Sequence, residues 1–191
     1  MTRWFPLETA RLRLREFRPE DEIDIHEYAS DPEVVRLLIW GPNTRELTRA
    51  FLDRTLDEQR EWPRNSVGLA MELKDEGRVI GSIGLRIKDE HNHAADIGYV
   101  LARRYWGRGY MPEAAHAIVD AAFRRVGLHR VWATCDPRNR ASYRVMEKIG
   151  MRREAHFRKN VFEKNEWRDS YLYAVLAEEW PARSAGESGD K

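Results

Sequence analysis

An α/β fold built on a mixed, mainly antiparallel sheet is predicted by three features of the sequence. Three strand-like segments follow one another through short turns in the middle of the chain, helical repeats flank them, and two long strands close the chain. The first element is residues 11–15, where leucine and arginine alternate with period two, as on a half-buried strand. Pro19-Glu20-Asp21-Glu22 then opens a helix, because proline suits its first turn and acids oppose the positive end of the helix dipole. That helix reaches about Ala29 and is broken by Ser30-Asp31-Pro32. Thr44, Leu47, Phe51, Leu52 and Leu56 mark a second helix ending near Trp62-Pro63.

Residues 67–73, 78–87 and 94–102 read as strands separated by Lys74-Asp75-Glu76-Gly77 and the polar stretch 88–92, and short turns of this kind imply an antiparallel meander. Ala115, Ile118, Val119, Ala122, Phe123 and Val126 recur at helical spacing, with Gly127 as C-cap. A strand over 128–135, a helix over 140–148 capped by Gly150, and strands over 152–162 and 167–176 follow. The order is β-α-α-β-β-β-α-β-α-β-β in a single domain over 1–177. The tail over 178–191, small and polar from Ala182 onward, is expected to be disordered.

Composition narrows the function. The chain has 191 residues, of which 42% are apolar, enough for one core without metals or disulfides. Its 33 Lys+Arg and 32 Asp+Glu nearly cancel, which gives no reason to expect nucleic acid or a membrane surface as partner. A single cysteine, Cys135, permits no internal disulfide. No stretch approaches the roughly 18 apolar residues of a membrane span, and the start lacks the apolar segment of a secretory signal. A cytoplasmic protein is expected.

The most informative segment is residues 97–115, where a strand ends, a glycine-containing turn follows and an alanine-rich helix begins. The first N–H groups of a helix lack internal partners and, with the dipole, form an anion site. Gly107 and Gly109 allow close approach of backbone to phosphate, and Arg104 and Arg108 bring charge. The plainer alternative is a connection whose glycines only turn the chain. Dinucleotide and P-loop signatures fit less well: Pro112 stands where a third small residue is needed, and no Gly-Lys-Ser/Thr follows.

Arg104-x-x-Gly107-x-Gly109, placed between strand and helix, resembles the acetyl-CoA signature of the GNAT superfamily of N-acetyltransferases. The opening Leu7-Glu8-Thr9-Ala10-Arg11-Leu12-Arg13-Leu14-Arg15, Ile97-Gly98-Tyr99, Gly109-Tyr110-Met111-Pro112-Glu113-Ala114, Asn139-Arg140-Ala141-Ser142, Glu147-Lys148-Ile149-Gly150-Met151 and Trp167-Arg168-Asp169 resemble its RimJ/RimL-like branch. The resemblance covers roughly residues 7–177.

The resemblance implies direct transfer of acetyl from acetyl-CoA to a primary amine, either a protein N-terminus or a small amine. It implies that Tyr99, Val100 and Leu101 pair with pantetheine through their backbone, and that the turn from Trp106 to Tyr110 holds pyrophosphate. It also implies a gap between this strand and the next, opened at a bulge whose backbone N–H polarises the thioester, and an Asn139 in contact with the cofactor. Many superfamily members carry a tyrosine acid seven residues beyond that asparagine. Here that position is Met146, so the resemblance points instead to Ser142 as partner of the CoA sulfur. A helix N-terminal hydroxyl bonding backbone is the equal alternative for Ser142. Asp96, His93, Glu72 and Glu163 are the candidates for the base, with Asp96 placed first, and a water chain could serve instead. A homodimer through the terminal strands is a further family-level expectation.

Other residues have plainer readings. Cys135 fits a small buried hydrophobe better than a nucleophile, and His91-x-His93 lacks further ligands for a metal. Trp40, Trp62 and Trp167 are candidates for lining an acceptor pocket, although most tryptophans simply pack. Arg152-Arg153 and Arg158-Lys159 could meet the 3′-phosphate of CoA or an acidic acceptor, or could form a solvated face. Two rival functions are a non-catalytic acyl-CoA-binding or sensing module and a nucleotide-binding protein using the same turn.

Overall fold

A computed structural model describes residues 5–61 and 64–181. The strands are β1 (Leu7–Glu8), β2 (Leu12–Arg15), β3 (Ser66–Leu73), β4 (Arg78–Asp89), β5 (Ala94–Leu101), β6 (Arg130–Cys135), β7 (Arg152–Glu163) and β8 (Glu166–Leu176). The helices are α1 (Glu22–Ser30), α2 (Pro32–Val35), α3 (Arg45–Glu58), α4 (Tyr110–Ala121) and α5 (Arg140–Lys148). All eight strands form one sheet in the order β1-β2-β3-β4-β5-β6-β8-β7. Only β5 and β6 run parallel, so the predicted mixed, mainly antiparallel sheet and its β3-β4-β5 meander are what the chain forms. Among the described residues no helix is long and apolar enough to cross a membrane.

Two elements were absent from the sequence reading. β1 has two residues, too few to show alternation, and exists through its pairing with β2. α2 restarts the helical path where a break was expected, because Asp31 accepts a hydrogen bond from the Glu33 N–H and Pro32 suits a first turn. α3 stops at Glu58, short of the expected end, and the next side chain, Gln59, bonds both the N–H and the carbonyl of Phe17. The boundary drawn at 177 also needs correction. Trp180 is buried, donates to Asp120 and packs on His116 and Phe123, so the packed domain extends to it. Residues 182–191 of the expected tail lie outside the described residues.

The sheet carries helices on both faces. Tyr28 of α1 lies against Ser82 of β4, and Ser82 pairs with Val100, so Val100 shares the α1 face. Tyr99, one residue away, points to the opposite face and reaches Ser142 of α5, which packs beside α4. Leu12, Leu14, Leu69, Met71, Ile80, Ile83, Ile118, Val119, Val131 and Met146 are almost wholly buried between these layers.

Candidate active site

The site begins where the parallel pair ends. β5 and β6 are in register only from Ala94↔Arg130 to Asp96↔Trp132, and beyond that point Ile97–Leu101 has no strand partner on the β6 side. The strands therefore diverge, and their backbone groups remain available to an extended ligand. No register shift occurs within β5 itself, so the opening arises by divergence rather than at a bulge in this strand.

Beyond β5 the turn is held rigidly. The Trp106 indole N–H donates to the Leu101 carbonyl at 2.8 Å, and the Tyr105 hydroxyl donates to Glu76 at 2.6 Å. Gly107 (φ +75°) and Gly109 (φ +83°) both occupy the left-handed region, which only glycine enters without strain, and Gly109 delivers the chain into α4. Arg11, read in the sequence as a strand residue within the opening family motif, clamps this turn. Its guanidinium donates to the Arg108 carbonyl at 2.9 Å, pairs with Glu113 at 2.6 Å and lies over the Tyr110 ring. Thr9 and the Arg11 N–H also donate to Glu113, fixing the first turn of α4 to the start of the chain.

Divergence and turn together bound a cleft of about 480 Å³. Of the sequence-predicted residues, the structure brings Tyr99, Val100, Leu101, Trp106, Gly107, Gly109, Tyr110, Asn139 and Ser142 to its walls, with Leu37 and Leu38 opposite. It does not bring Arg104, Arg108 or Asp96 there. Arg104 turns to Glu27 of α1 at 3.3 Å, and the Arg108 guanidinium lies over the Tyr105 ring, so neither side chain faces the cleft.

Asp96 sits at the fork, on the face opposite Tyr99, and takes both its hydrogen bonds from Arg86 at 2.8 and 3.1 Å. Asp96 is thus engaged by Arg86 and does not line the cleft, so its placement does not favour it over the other candidates. Glu72 is buried between Arg13 and Arg15, and His93 precedes the closed end of the β5–β6 pair. Glu163, Trp40 and Trp167 are also absent from the cleft walls, and Trp62 lies outside the described residues.

At the mouth of the gap three polar groups meet. Asn139 caps α5 by accepting the Ser142 N–H, so the Ser142 hydroxyl is not needed as a cap. That hydroxyl instead lies 3.2 Å from the Tyr99 hydroxyl, which also donates to the Ser142 carbonyl at 3.0 Å. Burial holds the Tyr99 phenol above its usual pKa, although its bond to Ser142 works the other way. Met146, at the position of the missing tyrosine, is 1% exposed and belongs to the core.

Cys135 ends β6 beside Ser142, and burial pushes its thiol up to about 12. An acid with a raised pKa stays neutral below that value, so this thiol is not a nucleophile near neutral pH. Labelling of the folded protein with a disulfide reagent at pH 8 should run at least about 100-fold slower than for free cysteine. Stoichiometric labelling within minutes would contradict the burial argument.

Charge in the cleft is one-sided. Among the described residues, Arg36, Arg138, Arg140, Arg144 and Lys148 line it against a single carboxylate, Glu33. Such walls suit a polyanionic ligand.

Known proteins resemble this chain over most of its length. The family described as "Acetyltransferase (GNAT) domain" matches residues 11–152. The chain is 41% identical over 172 residues to the uncharacterized N-acetyltransferase YnaD of Bacillus subtilis, covering 90% of this chain and 97% of that protein. An acetyltransferase (GNAT family) structure from Bacillus anthracis superposes with a TM-score of 0.81 at 39% identity, covering 91% of this chain and 99% of the other. At greater distance, the [Ribosomal protein uS5]-alanine N-acetyltransferase of Escherichia coli is 28% identical over 88 residues, 46% of this chain and 45% of that enzyme.

Proposed function

Since the chain belongs to the GNAT acetyltransferase family, whose members transfer acetyl from acetyl-CoA to an amine, we propose that the gap between β5 and β6 is where this transfer occurs and that Ser142 protonates the departing CoA thiolate. The observation that carries this reading is the Ser142–Tyr99 hydroxyl pair at the mouth of the gap, inside the cleft that the glycine turn closes.

The pantetheine arm runs along Tyr99–Leu101 as an added strand, and the N–H groups from Gly107 to Tyr110 hold the pyrophosphate. The acceptor ammonium first loses a proton. Glu33 is the carboxylate on the cleft wall and our candidate to receive it, directly or through water. The free amine attacks the thioester carbonyl, the C–N bond forms, the nitrogen gives up its second proton to water, and the C–S bond breaks. The sulfur takes the Ser142 proton, which water restores, and the Tyr99 hydroxyl, donating to the Ser142 carbonyl, orients that serine. Holding the two reactants together provides much of the rate. The acceptor is a primary amine, either a protein N-terminus or a small amine; one relative is named for an alanine of ribosomal protein uS5.

A thiol-release assay with acetyl-CoA and a panel of N-terminal peptides and polyamines tests this. Ser142→Ala should lower kcat about 100-fold, within the range of general acid catalysis, while the Kd for CoA changes less than about threefold. Retention of more than half the parental kcat would remove Ser142 from the reaction.

A further inference from the structure

The glycine turn was expected to bring its own cations, Arg104 and Arg108, to the phosphates, yet both guanidinium groups face away from the cleft. The positive charge comes from another element. Arg140, Arg144 and Lys148 occupy positions four residues apart on α5, and all three line the cleft. Four residues advance a helix by about 6 Å and return nearly to the same side, so the three form one row about 12 Å long. Among the described residues Arg140 and Lys148 have no ion-pair partner, and Arg144 pairs at the surface with Glu147. Arg138 differs, being held by both Asp136 and Glu166.

We propose that the outer half of this row, Arg144 and Lys148, is a phosphomonoester subsite that recognises the ribose 3′-phosphate of CoA. The proposal rests on the assignment of the cleft to CoA. Ser142 stands near the inner end of α5, by the gap where the thioester reacts. Lys148 lies almost two turns farther along α5 and lines the same cleft as Gly107, Gly109 and Tyr110 of the turn assigned to the pyrophosphate. Backbone N–H groups of the turn suffice for a pyrophosphate, but a terminal phosphomonoester carries close to two charges and is matched best by cationic side chains. Arg152-Arg153 and Arg158-Lys159, the earlier candidates for this contact, lie on β7 at the far edge of the sheet and are absent from the cleft walls. The subsite would select CoA over its 3′-dephospho precursor.

Calorimetric titration of the full chain with CoA and with 3′-dephospho-CoA, at one pH and ionic strength, tests the assignment. The parent should bind CoA at least about tenfold more tightly than 3′-dephospho-CoA. The double variant Arg144→Ala/Lys148→Ala changes two exposed helix positions to a good helix former, so its melting temperature should stay close to the parental value. It should lose most of the preference while binding 3′-dephospho-CoA within about twofold of the parent. Equal affinity of the parent for both ligands, or an equal weakening of both in the variant, would overturn the proposal. Failure of the parent to bind either ligand would instead remove the CoA assignment of the cleft, and the subsite with it.

Discussion

Gly81→Ala should destabilise the protein by about 3 kcal/mol, at the upper end of what overpacking a core costs, and should weaken CoA binding at least tenfold. A Cβ added at Gly81 would lie 2.3 Å from the Val100 carbonyl oxygen and 3.0 Å from the Leu101 Cα. Both obstacles are backbone, so a side-chain rotation cannot relieve the clash. Glycine inside a strand often marks such a close approach. The neighbouring Ala102 N–H donates to the Ile80 carbonyl at 2.8 Å, so separating β4 from β5 here would also strain that bond. Val100 and Leu101 line the cleft, so the same shift would move the strand on which pantetheine is expected to lie. Gly98→Ala is the control, because a Cβ there meets nothing within 4 Å, and its effect should stay within about 0.5 kcal/mol. Urea unfolding and CoA titration of both variants check this; similar behaviour of the two would remove the steric argument.

Arg15→Met should cost about 3–5 kcal/mol, the range for breaking a buried ionic group from one side. Arg15 is 6% exposed and reaches Asp21 through two bonds of 2.8 and 2.9 Å and Glu72 through one of 2.6 Å. Burial alone would lower the guanidinium pKa, but its bonds to the two carboxylates outweigh burial and hold it above the usual value. Methionine matches much of the volume yet leaves two buried carboxylates short of their partner. Arg15→Lys keeps the charge but not the fork that spans both acids, and should recover only part of the loss. Denaturant titration with an unchanged m-value would register the effect as stability. A cost below about 1 kcal/mol for the methionine variant would mean that Asp21 and Glu72 find sufficient partners in Arg18 and Arg13.

Long periodic elements were legible before any coordinates. β2 and α4 follow from alternation and helical spacing, because burial of one face imposes those periods on the sequence, while β3, β4, β5 and α5 were legible from the turns and caps that bound them. β1 and α2 were not legible, since two and four residues hold too little periodicity and owe their form to a neighbouring strand and to the Asp31 cap. The turn before α4 was recognisable because its glycines have positive φ, a local requirement that leaves a residue signature. The direction of its arginines was not, because Glu27 and Tyr105, which take them away from the cleft, are distant or unremarkable in the sequence. Asp96 shows the same limit, for its engagement depends on Arg86 across the β4–β5 ladder.

Sequence alone therefore determined the mixed sheet, the order of its long elements, the glycine turn into α4 and, through the ordered set of family motifs, membership of a family that transfers acetyl from acetyl-CoA. The sheet, the element order and the turn are properties of backbone conformation and periodicity, which act over a few residues, whereas the reaction was legible only through resemblance to a family. Tertiary structure alone decided what each charged or polar side chain does. It capped α5 with Asn139 so that the Ser142 hydroxyl could meet Tyr99, buried Met146, and engaged Asp96 with Arg86. It also moved the cationic wall of the cleft from the turn to α5. Hydrogen bonds and ion pairs form between whichever groups the fold brings within about 3 Å, and separation along the chain does not encode that proximity.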